Sequence, residues 1–329
     1  MSHPWRGPTV SRFDHPWHII FMGTPEFAVP SLEALLRSPD DVVSVISQPD
    51  RAVGRGCHLT PPAVKKVALA RGVPVLQPPT LRDTALHAEI AAAAPDLIVV
   101  AAYGKILPTE ILDLPTHGCI NVHASLLPRH RGAAPVQWAI LSGDRSTGIT
   151  IMRMNPAMDE GGILLHRAVP IEPVDTAETL GGRLAHLGAA LLVEAVSGLK
   201  AGTITERPQD SSAATLAPRI QKSMGRIDWR KPAVAIEREV RAFQPWPTAY
   251  TTMYGKQLKA LRAHVGAPPP SGPKPAPGTV IASGEAGIVV VTGTDPLVLT
   301  VVQLEGHRPL QAGDFVRGHP VEPGTVLGT

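Results

Sequence analysis

Cysteines and long apolar runs are scarce in this chain of 329 residues, and each scarcity excludes a class of protein. Two cysteines cannot form a disulfide framework or a four-ligand zinc site, so a reducing cytoplasm is the expected location. The longest apolar runs, such as Leu97–Tyr103, are far shorter than the roughly 20 residues that span a bilayer. The segment Met1–Pro16 lacks the apolar stretch of a secretory signal, and we interpret it as an unstructured extension.

The glycine-rich turns that bind nucleotide phosphates are also missing. After the first predicted strand the chain reads Gly23-Thr24-Pro25-Glu26, which matches neither GxGxxG nor GxxxxGK[ST]. In addition, Pro25 has no N–H to offer a phosphate. The sequence therefore predicts no NAD or ATP site.

The first 200 residues alternate short apolar runs with helical stretches. Because most of the runs are continuously apolar, they are typical of a parallel sheet covered by helices on both faces. The predicted strands are His18–Met22, Val42–Ser47, Val73–Leu76, Leu97–Ala102, Cys119–His123 and Gly148–Met154. Thr24 and Thr60 precede prolines as predicted helix N-caps, and Gly72 and Gly143 are predicted helix ends. A last helix is expected from about Asp175 to Leu199, and the pattern predicts a doubly wound, mostly parallel α/β domain.

A different pattern follows. We expect residues 203–221 to be a linker, because they are polar and show no apolar period. A helix is predicted at Pro232–Ala242, and a proline-rich loop at Gly266–Gly278. The short predicted strands favour a small β-barrel, of which the oligonucleotide-binding (OB) type is one candidate. They are Ala249–Met253, Gln257–Val265, Gly278–Ala282, Gly287–Thr292 and Leu297–Val302. The predicted organisation is therefore an extension (1–16), an α/β domain (17–202), a linker (203–221) and a basic barrel domain (222–329).

Positive charge is concentrated in the second half. Residues 203–329 hold 14 Lys and Arg against 10 Asp and Glu, whereas the remainder holds 17 against 18. Nine basic residues stand against three acidic ones between Lys222 and Arg262. Such an excess indicates either a polyanionic partner or simply a solvated basic surface.

Candidate catalytic residues lie at the ends of two predicted strands. Asn121 and His123 share one face of their strand at the carboxyl edge, where open α/β sheets place ligands. An amide beside an imidazolium suits the stabilisation of an oxyanion at an acyl carbon, although such residues also commonly cap loops. Asp159 follows the next strand, and it would hold His123 protonated or accept a proton from an attacking amine. An ordinary turn aspartate is the alternative.

Two basic segments each allow two interpretations. Arg51–Gly56, a flexible basic stretch after the second strand, is either a loop that contacts phosphate or a mobile surface turn. Arg129 and Arg131 flank His130, and structural ion pairing is the commoner fate of such arginines.

Several segments together resemble one enzyme family, that of methionyl-tRNA formyltransferase. They are Met22–Ala28, Gln48–Arg51 with Gly54–Gly56, Ala102–Pro108, Gly118–Pro128, Arg131–Gln137, Ile227–Trp229 and Arg241–Pro247. The resemblance runs from about Trp17 almost to the end, and only Met1–Pro16 and the proline-rich loop lack a counterpart.

This resemblance implies a Rossmann-like formyltransferase domain and transfer of a formyl group from 10-formyltetrahydrofolate to the methionine amine of initiator tRNA. It implies that Asn121 and protonated His123 stabilise the oxyanion, while Asp159 moves protons and orients His123. The residues implied for folate binding are Tyr103, Gly104, Ile106, Leu107, Ser125, Leu126, Leu127 and Pro128. Those expected to contact tRNA are Arg51, Arg55, Lys222, Arg226, Arg238 and Arg241. We further expect a cytoplasmic monomer that needs no membrane and no obligate protein partner.

Two departures from the family pattern and three alternative functions bear on this interpretation. Many family members continue the basic loop with two lysines, where this chain has Cys57 and His58. The family often has Thr-Gly-Asp after the catalytic acid, where this chain has Glu160-Gly161-Gly162. Formyltransferases acting on amino-sugar nucleotides share the folate domain and are the alternative. Glycinamide ribonucleotide formyltransferase would leave the basic second domain unexplained, and a catalytically silent RNA-binding protein would be expected to lose one of the three catalytic residues.

Overall fold

The computed structural model describes residues 15–53, 58–268 and 275–328, which form two compact units. The first unit comprises residues up to 132 together with 148–169 and 182–216, and the second comprises 133–147, 170–181 and the chain from 217 onward. Residues 1–14 of the predicted extension, Arg55 and Cys57 of the basic loop, and residues 269–274 of the proline-rich loop lie outside the described residues.

The six strands predicted up to residue 200 are all present, whereas three further strands, at residues 51–53, 58–60 and 163–170, were not predicted. The strands are β1 (His18–Gly23), β2 (Asp41–Ile46), β3 (Arg51–Val53), β4 (His58–Thr60), β5 (Val75–Leu76), β6 (Leu97–Ala101), β7 (Cys119–His123), β8 (Ser146–Arg153) and β9 (Ile163–Pro170). The helices are α1 (Val29–Leu36), α2 (Ala63–Ala70), α3 (Thr84–Ala92), α4 (Thr109–Leu112), α5 (Pro135–Ser142) and α6 (Ala177–Lys200).

One seven-stranded sheet has the order β5-β2-β1-β6-β7-β8-β9. The pairs from β5 to β7 are parallel, and β8 is antiparallel to β7. The chain runs outward from β1 in one direction to β5 and then returns to β6 on the other side, so the strand order reverses between β1 and β6. The doubly wound, mostly parallel fold class is confirmed, and β3 and β4 form a separate hairpin.

The helix C-termini predicted at glycines are observed, whereas the helix N-caps predicted at threonines are not. Gly72 and Gly143 adopt left-handed backbone angles (φ 72° and 71°) just after α2 and α5, as predicted. The Thr24 cap is wrong, because its Oγ1 donates to the Tyr103 carbonyl (3.2 Å) and the regular helix α1 begins only at Val29. The Thr60 cap is wrong too, since Pro62 occupies the N-cap position of α2.

The second unit contains a small barrel-like antiparallel sheet with the order β10-β11-β14-β13-β12, and β15 pairs with β14. Its elements are α7 (Ala233–Ala242), β10 (Ala249–Met253), β11 (Lys256–Val265), β12 (Val280–Gly284), β13 (Gly287–Val290), β14 (Leu297–Leu304), β15 (Leu310–Gln311) and α8 (Ala312–Gly318). The core includes Trp229, whose indole N–H donates to Thr251 Oγ1 at 3.1 Å. The small barrel is confirmed, whereas β15 and α8 were not predicted.

The segment predicted as a linker has ordered pairing. Arg207 exchanges two backbone hydrogen bonds with Ile163 on β9 (2.7 and 2.9 Å), and Leu216 forms a bridge with Arg131. Residues up to Leu216 group with the first unit and those from Ala217 with the second. Across the described parts of the chain, no helix combines the length and the hydropathy of a transmembrane span.

Candidate functional site

Strand β7 presents two polar side chains to one carboxylate. Asn121 Nδ2 donates to Asp159 Oδ1 at 3.4 Å, and His123 Nδ1 lies 3.6 Å from Asp159 Oδ2. Because residues i and i+2 of a strand point to the same side, the alternation of β7 delivers both groups together while Val122 is buried among apolar neighbours. The structure thus brings together all three residues that the sequence singles out.

Asp159 is held in an uncommon conformation. It lies in the loop between β8 and β9 with a left-handed φ of 55°, which non-glycine residues adopt rarely. Its Oδ2 also accepts the backbone N–H of Gly132 at 2.8 Å. The carboxylate is therefore fixed by a backbone donor in addition to the two side chains of β7.

The imidazole of His123 is almost completely buried, at 5% exposure. Its Nε2 lies 3.0 Å from the His130 carbonyl, which only accepts, so we assign a proton to Nε2. Burial lowers the pKa of His123 below its ordinary value, although Asp159 and the His130 carbonyl act in the opposite direction. Burial thus opposes, in the free protein, the protonated form that the sequence analysis expects.

A second set of residues surrounds Asp159, and sequence reasoning missed most of it. Gln209 Nε2 donates to the carbonyls of Asp159 (2.8 Å) and Gly161 (2.7 Å). Gln209 Oε1 accepts from Nε (3.1 Å) and Nη2 (2.9 Å) of Arg131, whose Nη1 pairs with Glu160 at 3.2 Å. Arg131 is buried and ion-paired, which agrees with the structural alternative left open for it. No signal in the sequence pointed to Gln209, because it lies in the segment without apolar periodicity.

The turn Ser125–Pro128 is hydrogen-bonded to β8, the strand that pairs with β7. Thr150 on β8 pairs with His123, and its Oγ1 donates to the Ser125 carbonyl (2.7 Å) and accepts the Leu127 N–H (3.1 Å). Ser125 Oγ in turn donates to the Arg129 carbonyl at 2.6 Å. Leu126 is half-buried, and its side chain lies against Gly148.

The segment after β6 divides into buried and exposed residues. Tyr103 is 2% exposed, and its hydroxyl finds no hydrogen-bond partner among the described residues. Burial raises the pKa of Tyr103 to about 12. Gly104 has a left-handed φ of 87°, Leu107 is buried and Ile106 is 73% exposed. An exposed isoleucine thus lies beside an open glycine backbone, whereas the Tyr103 ring is part of the apolar core.

The six basic residues expected to contact tRNA differ in what they contact. Arg51 on β3 is exposed, and Arg55 lies outside the described residues. Lys222 and Arg226 are exposed and form no ion pair with any residue that the structure describes. The Arg238 guanidinium packs on Gly143, and Arg241 binds Glu237 Oε2 (3.0 Å) and the Asp175 carbonyl (3.0 Å).

Within the described part of the chain there is no group of three His, Cys, Asp or Glu side chains suited to a metal ion.

Comparison with known proteins gives matches along both units. The family model described as "Formyl transferase" matches residues 17–196, and the one described as "Formyl transferase, C-terminal domain" matches residues 219–320. The chain is 50% identical over 307 residues to the methionyl-tRNA formyltransferase of Myxococcus xanthus, covering 93% of this chain and 96% of that protein.

Two solved structures are similar to this chain in fold. An N-formyltransferase from Helicobacter canadensis, in complex with folinic acid and dTDP-3-aminofucose, matches with a TM-score of 0.63 at 16% identity. The match covers 86% of this chain and 98% of that one. HypX from Aquifex aeolicus matches with a TM-score of 0.62 at 18% identity over 94% of this chain, which spans about half (49%) of the length of HypX. These two likenesses show the fold alone, whereas the family models and the 50% identity show that the chain belongs to the methionyl-tRNA formyltransferase family.

Proposed function

We propose that this chain transfers the formyl group of 10-formyltetrahydrofolate to the α-amino group of methionine on initiator methionyl-tRNA. The observation that carries this proposal is the convergence of Asn121 and His123 on the Asp159 carboxylate, in a chain 50% identical to a methionyl-tRNA formyltransferase. The folate is a co-substrate, and the proposed reaction requires neither a metal nor a nucleotide.

The chemistry assigns a role to each of the three side chains. The neutral methionine amine attacks the formyl carbon, its nitrogen forms a C–N bond, and the carbonyl electrons move to oxygen. The Asn121 amide is half-buried on β7 and is the donor available to that oxyanion. The attacking nitrogen then releases a proton, and the C–N bond to the folate breaks with its electron pair going to the folate nitrogen.

The Asp159–His123 pair suits the proton transfer between these two nitrogens. The lowered pKa of His123 leaves Nδ1 free of a proton near neutrality, 3.6 Å from Asp159 Oδ2. A proton released by the amine therefore has an acceptor, and it converts the pair into an imidazolium beside a carboxylate. Because the same burial makes that imidazolium a stronger acid, the proton is readily returned to the departing folate nitrogen.

For the folate, we propose the two segments named from the sequence, at the ends of β6 and β7. The exposed Ile106 and the open backbone at Gly104 offer an apolar surface for the pterin. Ser125–Pro128, which follow the adjacent strand β7, form the second part of the proposed site, while Tyr103 and Leu107 anchor the first segment in the apolar core.

For the tRNA, we propose contact by the exposed basic residues. Arg51, Lys222 and Arg226 have ammonium or guanidinium groups in solvent, where they can replace counterions on phosphates. Arg241 and Arg238 are occupied by contacts within their own unit, so we assign them a structural role there. We also propose that the protein acts in the cytoplasm as a monomer.

The decisive experiment is a formyl-transfer assay with three acceptors and 10-formyltetrahydrofolate. The acceptors are initiator methionyl-tRNA, elongator methionyl-tRNA and an amino-sugar nucleotide. Selective formylation of the initiator is the expected result. Transfer to the sugar alone would replace the proposed acceptor and establish the amino-sugar alternative instead.

A further inference from the structure

The loop between β8 and β9 carries Asp159, and we call it the catalytic loop. The segment between the two matched regions, residues 197–218, places one side chain against this loop. Gln209 reaches that loop from outside both matched regions, and its amide N–H groups bind the carbonyls of Asp159 and Gly161. The two carbonyls flank Glu160, so a single amide spans the turn that carries the Asp159 carboxylate.

The orientation of the Gln209 amide is determined by its partners. Arg131 offers only donors, and it donates to Gln209 Oε1 from Nε (3.1 Å) and Nη2 (2.9 Å). The two backbone carbonyls only accept, so the NH2 group must face them. Only this orientation satisfies all four contacts.

Arg131 is itself fixed on several sides. It is buried at 5% exposure, its backbone N–H donates to the Thr215 carbonyl (2.8 Å), and Nη1 pairs with Glu160 (3.2 Å). Thr215 Oγ1 also accepts the backbone N–H of His130, and the His130 carbonyl in turn accepts the N–H of His123 Nε2. The segment therefore supports both sides of the Asp159–His123 pair.

We infer that Gln209 is a positioning residue, which keeps the Asp159 carboxylate against Asn121 and His123 by holding the Asp159–Gly161 turn in place. The backbone of Asp159 makes this turn dependent on support, because a left-handed φ of 55° is unfavourable for a residue other than glycine. As a role in catalysis, the inference rests on the proposed function.

The test compares Gln209→Met with Gln209→Glu. Methionine keeps the length of the side chain and adds no charge, but it removes every hydrogen bond of the amide. Glutamate keeps acceptors for Arg131, but it loses both donors and turns a carboxylate toward two carbonyls. Gln311→Met, at an exposed position of β15, is the matched control.

We expect kcat for formyl transfer to fall about 10- to 100-fold in both Gln209 variants, because a misplacement of about 1 Å carries a cost of that size. KM for tRNA and for the folate is expected to stay within about twofold, since Gln209 is assigned to neither substrate. The control should match the wild type.

The pKa of His123, measured by NMR from the ring carbon signals, is a readout that a merely structural role would not move. The titratable groups that act on His123 in the described structure are Asp159, which raises its pKa, and His130, which lowers it. Arg131 and Glu160 pair with each other beside them, and Gln209→Met alters none of these charges. We therefore expect the pKa of His123 to fall further in Gln209→Met as Asp159 moves away.

The possible outcomes separate the inference from the proposed function. Loss of kcat in both variants, with a lowered His123 pKa in Gln209→Met, supports positioning. Wild-type kcat in Gln209→Glu, with activity in Gln209→Met reduced only as far as its folded fraction, would overturn it. If the wild type formylates no tRNA, the proposed function fails, and an unchanged His123 pKa would then overturn the positioning role separately.

Discussion

Asp159 Oδ2 lies 3.6 Å from His123 Nδ1, and the same oxygen accepts the Gly132 N–H at 2.8 Å. The carboxylate is thus fixed by a short backbone hydrogen bond, while its distance to the imidazole is longer than a hydrogen bond. Since burial lowers the pKa of His123, this gap separates a carboxylate from a neutral ring in the free protein. A proton that arrives at Nδ1 during the reaction would turn the contact into an ion pair.

Replacing His123 by asparagine tests its place in the reaction. His123→Asn removes the proton acceptor, so we expect kcat to fall by at least about 10²-fold while tRNA affinity changes little. Steady-state kinetics with initiator methionyl-tRNA and a separate binding titration measure the two quantities. Turnover near that of the wild type would remove His123 from the mechanism.

The buried histidine also predicts how stability depends on pH. An unfolded histidine has a pKa of about 6.5, and the folded value of His123 is lower. Its contribution to the free energy of unfolding is therefore complete above pH of about 6.5, and it is lost as the pH falls toward the folded value, because the unfolded chain binds the proton first.

Urea unfolding of the wild type and of His123→Gln at two pH values would measure this effect. The two values, about 7.5 and about 5.5, lie about one unit above and about one unit below the ordinary histidine pKa. We expect the free energy of unfolding of the wild type to fall by more than that of His123→Gln as the pH is lowered, since the other histidines contribute equally to both proteins. Parallel curves for the two proteins would contradict a lowered pKa at this position.

The sequence predicts much of the fold because several strands of the sheet, such as β6, are continuously apolar and buried. Strand β7 was predicted with its observed bounds, and its alternation places Asn121 and His123 correctly on one face. Asp159 could be proposed because it lies a few residues past the end of β8, in a turn that contains glycines. The support beneath it could not, because Gln209 and Thr215 lie in a polar segment where no periodicity indicates what the chain contacts.

Local signals failed where tertiary contacts outcompeted them. The Thr24-Pro25 pair has the pattern of a helix start, yet the Thr24 hydroxyl bonds the Tyr103 carbonyl between β1 and β6. Likewise, a cluster of positive charge between Lys222 and Arg262 does not distinguish exposed residues such as Arg226 from ion-paired ones such as Arg241. The charge count alone therefore overstates the number of groups that are free to bind phosphate.

Neighbouring glycines in the catalytic loop should respond differently to alanine. A Cβ at Gly161 would lie 1.8 Å from the Arg153 carbonyl oxygen, which belongs to β8 and cannot move alone. At Gly162 the obstacle is the Glu206 side chain at 2.2 Å, which can swing into solvent. We expect Gly161→Ala to lower the free energy of unfolding by about 2–3 kcal/mol and to reduce kcat, with about 1 kcal/mol or less for Gly162→Ala. Equal effects, measured by urea unfolding, would contradict the tight packing at Gly161.

Burial should make the Cys119 thiol inert. Burial raises the pKa of Cys119 to about 12, so only about 10⁻⁴ of it is thiolate at pH of about 8, against about a quarter for a thiol with the ordinary pKa of about 8.5. In a Cys57→Ser background we expect alkylation by iodoacetamide to be at least about 10³-fold slower in the native protein than in urea. Comparable rates would mean that Cys119 is accessible and ionised.

Charge reversal in the second unit separates binding from structural support. Lys222→Glu and Arg226→Glu remove exposed charges, so each should weaken tRNA binding and lower the slope of log K against log salt by about 1. Arg317→Glu is the control of equal charge change, on α8, where Arg317 already pairs with Glu285. Arg241→Met should instead lower the free energy of unfolding, because it leaves the half-buried Glu237 without its partner, and it should change the salt slope little. A slope that falls for Arg241→Met but not for Lys222→Glu would reverse the assignment and make the ion-paired arginine the phosphate ligand.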